Sequence, residues 1–290
     1  DFSLVKWRPS FSFSYGSIKS YLNFSLPLFG ENSLNYFVRN IDNLLIGKLL
    51  GDITLGYYSK AYSLMLLPVR QISGSIANVM FPSLSIIKND KPKVWVGYMN
   101  IVKIVSFVNF PIMISLYFFA KEIVLILFGS QWLEVIPIIK ALCFVGSIQS
   151  IATLAGSIYN SQGKTKLQFK VGLFSKSIMS TAIVYGLFNG GIFSMILNYT
   201  ITSSIVFVVE LYFVTKILNN SILSFLDDLK KELLVIGVYL VSMILLFSFV
   251  NTDSLLNKIL IQLASLTLFV FLSMKLELFA FQLLKKYLKK

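Results

Sequence analysis

The sequence contains no histidine, a single cysteine and few charged residues. Without histidine, catalytic triads and other acid–base sites that use an imidazole are excluded. Cys143 lies in an apolar stretch with no second cysteine, which excludes a disulfide framework and a thiolate metal site. We therefore expect neither a metal nor a cofactor. Charged residues make up 13% of the 290 residues and hydrophobic residues 56%, whereas soluble domains have about 25% charged residues. The composition indicates a membrane protein.

Apolar segments of roughly membrane-spanning length follow one another along the chain. A helix needs about 20 residues to cross a hydrocarbon layer of about 30 Å, and the segments lack the period-two alternation of strands. The sequence therefore predicts an all-α, polytopic membrane bundle of about eight transmembrane helices. The predicted spans cover residues 20–47, 56–87, 94–119, 135–160, 167–188, 191–217, 233–250 and 257–274.

The connections between these spans carry most of the remaining sequence signals. Pro68 and Pro82 are expected to kink the second span. Residues 120–137 are too interrupted for a crossing and predict a short interfacial helix with Trp132 at headgroup depth. A turn is expected around Gly51, another at residues 189–191 and a charged loop at 226–232. Residues 1–19 are expected to form a cytoplasmic or interfacial connector.

The basic residues lie mainly in these connections. A net charge of +13 would suggest nucleic-acid binding in a soluble protein, but here it marks membrane topology. Most of these lysines and arginines flank the face that carries both termini, so we expect both termini in the cytoplasm and no nucleic-acid partner.

Four polar residues recur on one face of the first predicted span. On a helix, Glu31, Asn35, Arg39 and Asp42 fall at i, i+4, i+8 and i+11. A charge near the bilayer centre costs about 2.5–3.5 kcal/mol on insertion scales, so such residues usually face a cavity or a partner. The stripe predicts a polar cavity, and the alternative is a structural Arg39–Asp42 pair near the outer end of the span.

The second span carries Arg70, which has no carboxylate on its own helix. A free guanidinium offers a planar fork of donors and stays protonated, which suits a diphosphate or a carboxylate ligand. The alternative is an ion pair between Arg70 and either Asp42 or Glu31.

Two later spans add further polar residues. Gln149, Thr153 and Asn160 recur with helical spacing in the fourth span and predict either a cavity wall or hydrogen bonds between helices. Lys176 and Glu210 lie at similar heights in the fifth and sixth spans, which a tight turn makes antiparallel. We expect these two residues to pair, as a structural ion pair or as a proton relay.

Several short segments resemble the Wzx-like polysaccharide transporters, or oligosaccharide flippases, of the multidrug/oligosaccharidyl-lipid/polysaccharide exporter superfamily. They are RNIDNLLIGK at 39–48, LGYYSKAY at 55–62 followed by Pro68, FPSLS at 81–85, FGSQW at 128–132 and residues 156–163. In that family two six-helix lobes enclose a central cavity, and some members append two helices. The resemblance implies that residues 20–217 are the second lobe and residues 218–290 the additional pair with a basic cytoplasmic tail. The first residue is Asp1 rather than methionine, and we expect a first lobe upstream.

The resemblance also implies a function. The family moves an oligosaccharide linked to undecaprenyl diphosphate from the cytoplasmic to the periplasmic leaflet by alternating access of its lobes, without covalent chemistry. We expect this chain in the cytoplasmic membrane of a bacterium, among membrane lipids, acting in polysaccharide, O-antigen or exopolysaccharide biosynthesis. The resemblance implies that Arg39 and Arg70 contact the diphosphate, while Asp42 orients one of them or binds a coupling cation. Glu31, Asn35, Gln149, Thr153 and Asn160 would meet the rest of the substrate.

Other functions predict different sequences. A cation-coupled drug exporter of the same superfamily would usually have a cavity richer in carboxylates and poorer in arginine. A glycan polymerase would need a large periplasmic loop, and a membrane acyltransferase would normally need a histidine. A purely structural membrane subunit is the remaining alternative.

Overall fold

The computed structural model describes residues 15–250 and 254–288, and these ranges are helical without any strand. The predicted all-α, polytopic class is therefore confirmed. Nine α-helices lie in the described ranges: α1 Tyr15–Pro68, α2 Ser75–Ile86, α3 Lys91–Phe118, α4 Ala120–Leu127, α5 Val135–Ser161, α6 Thr165–Ile217, α7 Ile222–Phe249, α8 Leu255–Lys275 and α9 Phe279–Leu288. Six helical segments in these ranges are long and apolar enough to cross a membrane.

The helix α1 is a hairpin rather than one rod. Its 54 residues would extend about 80 Å as a straight helix, far beyond the hydrocarbon layer of about 30 Å. At Gly51 the backbone turns with φ 85° and ψ 168°, a left-handed conformation that glycine adopts without a Cβ penalty. The Tyr58 hydroxyl then donates to Asp42 Oδ2 at 2.8 Å across this break. The two arms of α1 therefore lie side by side, which confirms the turn predicted near Gly51.

The helix α6 folds in the same way over its 53 residues. Its break lies at Gly190 and Gly191, and Gly191 has φ 65° and ψ −150°. Near the break the arms touch so closely that a Cβ on Gly186 would lie 2.5 Å from Met195 Cα. The predicted turn at 189–191 is confirmed. If each arm of α1 and α6 crosses the membrane once, the six candidates become eight crossings, and that number stays a prediction.

One of the predicted boundaries is wrong. Residues 226–232, expected as a charged loop, belong to α7, which begins at Ile222. The Ser221 hydroxyl caps the helix by accepting from Ser224 N, and Asp228 Oδ2 accepts from Trp95 Nε1 at 2.9 Å. These contacts hold the polar first turns of α7 on α3. Within the basic tail, residues 283–288 form the end of α9.

The expected distortion after Pro68 and the expected short helix are both present. Residues Val69–Gly74 form a π-helical segment between α1 and α2. Pro68 has no backbone N–H to donate, and the helix continues after it with the wider turns of a π-helix. By contrast, Pro82 lies inside α2 without a break. Within 120–137, α4 is followed by a single 3₁₀ turn that contains Trp132. The depth of Trp132 in a membrane stays a prediction.

The helix α5 lies at the centre of the bundle, in contact with α1, α2, α3, α4 and α6. At Gly146 the missing side chain lets Met65 of α1 and Met113 of α3 approach, because a Cβ there would lie within 2.8 Å of both. Helices α7, α8 and α9 pack on α3 around Tyr239 and Phe269. Because α7, α8 and α9 pack on α3, a cavity inside the bundle is walled mainly by α1, α5 and α6. The predicted domain boundary near residue 217 stays a prediction.

We predict that Gly186→Ala destabilises the protein by about 1–3 kcal/mol, the usual cost of overpacking. The new methyl group would meet the backbone of Met195, which cannot rotate away, so the arms of α6 must separate. The measurement is the Tm of the detergent-solubilised protein.

The matched control is Gly237→Ala in α7, where a Cβ would meet nothing within 4 Å. Alanine is favoured over glycine in a helix by about 0.5–1 kcal/mol, so the control should keep or raise the Tm. Equal Tm values for the two variants would contradict the close contact.

Candidate functional site

A cavity of about 560 Å³ lies between α1, the π-helical segment, α5 and α6. Although its walls come from membrane-spanning helices, its lining is rich in polar side chains. Seven of the residues predicted from the sequence line it: Glu31, Asp42, Arg70, Gln149, Thr153, Lys176 and Glu210. The folding of α1 and α6 into hairpins brings these residues together from positions up to 179 apart, between Glu31 and Glu210.

Three predicted residues are not placed in this cavity. Asn160 is half-buried and absent from the lining, because it lies in the last turn of α5, which ends at Ser161. The side chains of Asn35 and Arg39 lie outside the described residues, and only their place in the first arm of α1 is known. Their predicted contacts with a ligand stay predictions.

Lys176 forms an ion pair with Glu31, not with Glu210 as the sequence predicted. Glu31 is buried and Lys176 is largely buried, with 8% and 14% of their side-chain surface exposed. A Cβ on Gly172 would overlap the Glu31 carboxylate, so glycine at this position makes room for the pair. The prediction failed because it used only the α6 hairpin, whereas the packing of α1 on α6 brings a carboxylate closer to Lys176.

Glu210 also lines the cavity, but it has no hydrogen bond or ion pair within the described part of the chain. Its carboxylate remains within electrostatic range of both Lys176 and Glu31. The cavity therefore contains a compensated ion pair and an additional carboxylate beside it.

Asp42 is buried and hydrogen-bonded. Its Oδ2 accepts from the Tyr58 hydroxyl at 2.8 Å, and its Oδ1 accepts from Asn43 N at 2.7 Å. Tyr58 itself is only 1% exposed. Further along the wall, Gln149 Nε2 donates to the Tyr199 hydroxyl at 2.9 Å. These bonds orient the side chains of Asp42 and Gln149 in the wall of the cavity.

Arg70 lies in the π-helical segment, and its side chain is exposed toward the cavity it lines. Neither of the carboxylates expected as alternative partners pairs with it, since Glu31 binds Lys176 and no ion pair joins Arg70 to Asp42. Within residues 15–250 and 254–288, Arg70 makes no hydrogen bond or ion pair. Its guanidinium is therefore available to an anion.

Five buried polar atoms of the lining have no hydrogen-bond partner among the described residues. They are Glu31 Oε2, Tyr159 Oη, Gln168 Oε1, Ser175 Oγ and Ser203 Oγ. A buried polar group without a partner costs about 1–3 kcal/mol, so a polar ligand or water in the cavity would recover this energy. Among the described residues, no cluster of histidine, cysteine, aspartate and glutamate could hold a metal ion. These polar atoms suit a polar molecule, and the guanidinium of Arg70 suits an anionic group on it.

Four of these five residues were not predicted from the sequence. A detectable signal was present, because Gln168, Gly172 and Ser175 fall at i, i+4 and i+7 on α6, the spacing that revealed the stripe on α1. On the second arm of α6, Tyr199 and Ser203 are likewise four residues apart. Small and hydroxyl-bearing residues are common in membrane helices, which hides such a stripe among ordinary packing residues.

The comparisons with known proteins agree with the motifs. Residues 2–137 match a family described as polysaccharide biosynthesis proteins. Among curated proteins, the chain is 29% identical over 62% of its length to the lipopolysaccharide biosynthesis protein WzxC of Escherichia coli. It is 24% identical over 79% of its length to the teichuronic acid biosynthesis protein TuaB of Bacillus subtilis. It is 21% identical over 71% of its length to the succinoglycan biosynthesis transport protein ExoT of Rhizobium meliloti.

The matched segments cover 37%, 48% and 42% of these three relatives, so the chain spans less than half of their length. No solved structure matches the chain significantly. The family match and the relatives, together with the membrane-spanning helices, confirm the resemblance found in the sequence motifs. The chain is therefore similar to polysaccharide biosynthesis proteins over residues 2–137, and it has membrane-spanning helices of its own.

Proposed function

We propose that this chain is part of a transporter that moves a lipid-linked oligosaccharide across the cytoplasmic membrane of a bacterium during polysaccharide biosynthesis. One observation carries the proposal: a polar cavity of about 560 Å³ within membrane helices, with Arg70 free of ion pairs to the described residues. The names of the relatives, one of which is a transport protein, support the same function.

Arg70 is suited to bind the diphosphate of the ligand. An arginine can bind two oxygens of a phosphate with parallel hydrogen bonds, and it keeps its charge at any physiological pH. The unpartnered hydroxyls of Ser175, Ser203 and Tyr159 would bind the sugar next to it, since a hydroxyl can both donate and accept. The side chain of Arg39, expected at the same diphosphate, would add a second cation.

Transport by alternating access requires a wall that can move. We propose that the first lobe expected from the resemblance completes the cavity and that the lobes rock against each other. The π-helical segment after Pro68 provides a weak point in the wall, since its hydrogen bonds are irregular. The ligand would cross without covalent chemistry. The distribution of basic residues supports cytoplasmic termini.

The ion pair between Lys176 and Glu31 has a different role in this proposal. It joins α1 to α6, two hairpins that pack on each other and both line the cavity. Because each charge neutralises the other, the pair leaves Arg70 as the cation that meets the ligand. We therefore expect loss of the pair to act on stability first and loss of Arg70 to act on transport.

Replacing Arg70 with alanine is expected to lower polysaccharide export about tenfold or more and to accumulate the lipid-linked precursor. The lost interaction is a charge-assisted hydrogen bond, worth about 1.5–3 kcal/mol. The variant Arg70→Lys should keep part of the activity, because it retains the charge without the planar fork. The measurement is surface polysaccharide and precursor in the host, with the variant in the full-length protein at its own locus.

The control for Arg70 is Lys140→Ala in α5. Lys140 lies over the Tyr117 ring, and it is not part of the cavity lining. Export should remain at the wild-type level in this control. If Arg70→Ala also exported normally, the proposed role of the cavity in transport would be wrong.

Replacing only Lys176 with glutamine should destabilise the protein by about 3–5 kcal/mol, because a buried carboxylate is left without its cation. The double variant Glu31→Gln, Lys176→Gln removes both charges and should lose less. The measurement is the Tm of the purified protein for the two variants. A double variant as unstable as Lys176→Gln alone would mean that the charges do not compensate each other.

A further inference from the structure

A second cavity, of about 480 Å³, opens between the two arms of the α1 hairpin. Its polar lining consists mainly of uncharged side chains: Asn32, Asn40 and Asn43 from the first arm and Ser59 and Ser63 from the second. No carboxylate is among its described lining residues. This cavity therefore differs in chemistry from the charged cavity beside it.

The lining residues of the first arm follow helical spacing. Asn32, Tyr36, Asn40 and Asn43 fall at i, i+4, i+8 and i+11 and share one face of the helix. The predicted stripe of Glu31, Asn35, Arg39 and Asp42 lies on the neighbouring face, one residue earlier at each position. A membrane-spanning arm with amides on this face exposes them to hydrocarbon unless something polar covers them, because lipid offers no hydrogen bonds.

Asn32 and Asn40 make few side-chain hydrogen bonds to the described residues. Asn40 Nδ2 donates to Tyr36 O in its own helix, and the Ser59 hydroxyl lies 3.5 Å from Asn43 Oδ1. Asn32 has no side-chain hydrogen bond to any described residue. Asn32 and Asn40 thus keep donors and acceptors for a ligand.

The two cavities are adjacent. Tyr62 and Arg70 line both of them, so a single extended molecule could occupy both at once. Arg70 stands at the border and would meet an anionic group between the two parts of such a molecule.

We infer that the second cavity is a saccharide subsite: it binds uncharged sugar residues of the lipid-linked oligosaccharide while Arg70 binds the anionic group. Amides and hydroxyls each donate and accept hydrogen bonds, which matches the hydroxyl groups of a sugar. The rings of Tyr36 and Tyr62 offer apolar faces for the C–H side of a pyranose. A free cation or a drug of positive charge would find no carboxylate among the described residues of this lining. The inference rests on the proposed function and adds a location for the sugar.

The test compares two ligands on the full-length protein in liposomes: the lipid-linked oligosaccharide isolated from the host, and undecaprenyl diphosphate without sugar. The double variant Asn32→Leu, Asn40→Leu removes two amides and breaks only the bond of Asn40 within its own helix. We expect this variant to bind the sugar-bearing lipid about tenfold more weakly, a change of about 1.4 kcal/mol. Its affinity for the sugar-free lipid should stay close to that of the wild type.

Two further variants complete the comparison. Asn189→Leu is the matched control, because Asn189 Nδ2 also donates to the carbonyl four residues earlier, Tyr185 O, and the residue lies outside both cavities. This control should bind both lipids like the wild type. Arg70→Ala should weaken binding of both lipids, since both carry the diphosphate.

Each other result has a definite meaning. If the double variant bound both lipids normally, or lost both to the same extent, the second cavity would not be a saccharide subsite, although the proposed transport could still stand. If the wild-type protein bound neither lipid, the proposed function would be wrong, and the subsite with it.

Discussion

The hydrocarbon layer offers no hydrogen bonds, and most features of this protein follow from that constraint. Backbone groups must be satisfied within each segment, so the described chain is helical and its sharp turns fall at Gly51 and at Gly190 and Gly191. Charged side chains must find partners or water. Glu31 and Lys176 find each other, Asp42 accepts from Tyr58, and the remaining polar groups converge on two cavities.

Small residues make this convergence possible. Without a side chain at Gly146, α5 can approach α1 and α3, and without one at Gly172, the Glu31 carboxylate can reach Lys176. Neither position is a turn, so both are glycine because of packing. In a membrane, where the hydrophobic effect does not drive helices together, close packing and hydrogen bonds between helices supply the stability. The same contacts thus hold the bundle together and shape its polar interior.

The division of charges links this structure to its proposed function. A ligand with a diphosphate and a neutral glycan needs one cationic position and a larger uncharged polar surface. Arg70 supplies the first at the border of both cavities, and the asparagines and serines of the α1 hairpin supply the second. Glu31 neutralises Lys176. Among the described lining residues, Arg70 is therefore the cation that is open to a ligand, and it lies between the two surfaces. This arrangement would also disfavour a cationic drug next to Arg70.

The sequence by itself determined the class of the protein, the turns and the periodicity of its polar residues. Composition and helical spacing depend only on residues that are close together in the sequence. These local signals correctly predicted the membrane helices and a polar stripe that contains Glu31 and Asp42. The partner of Lys176 depended on which helix packs against α6. The partner is Glu31 of the α1 hairpin, not the expected Glu210. The helical start of α7 likewise depended on its contact with Trp95 of α3. Only the tertiary structure decided these contacts, because they join residues more than a hundred positions apart.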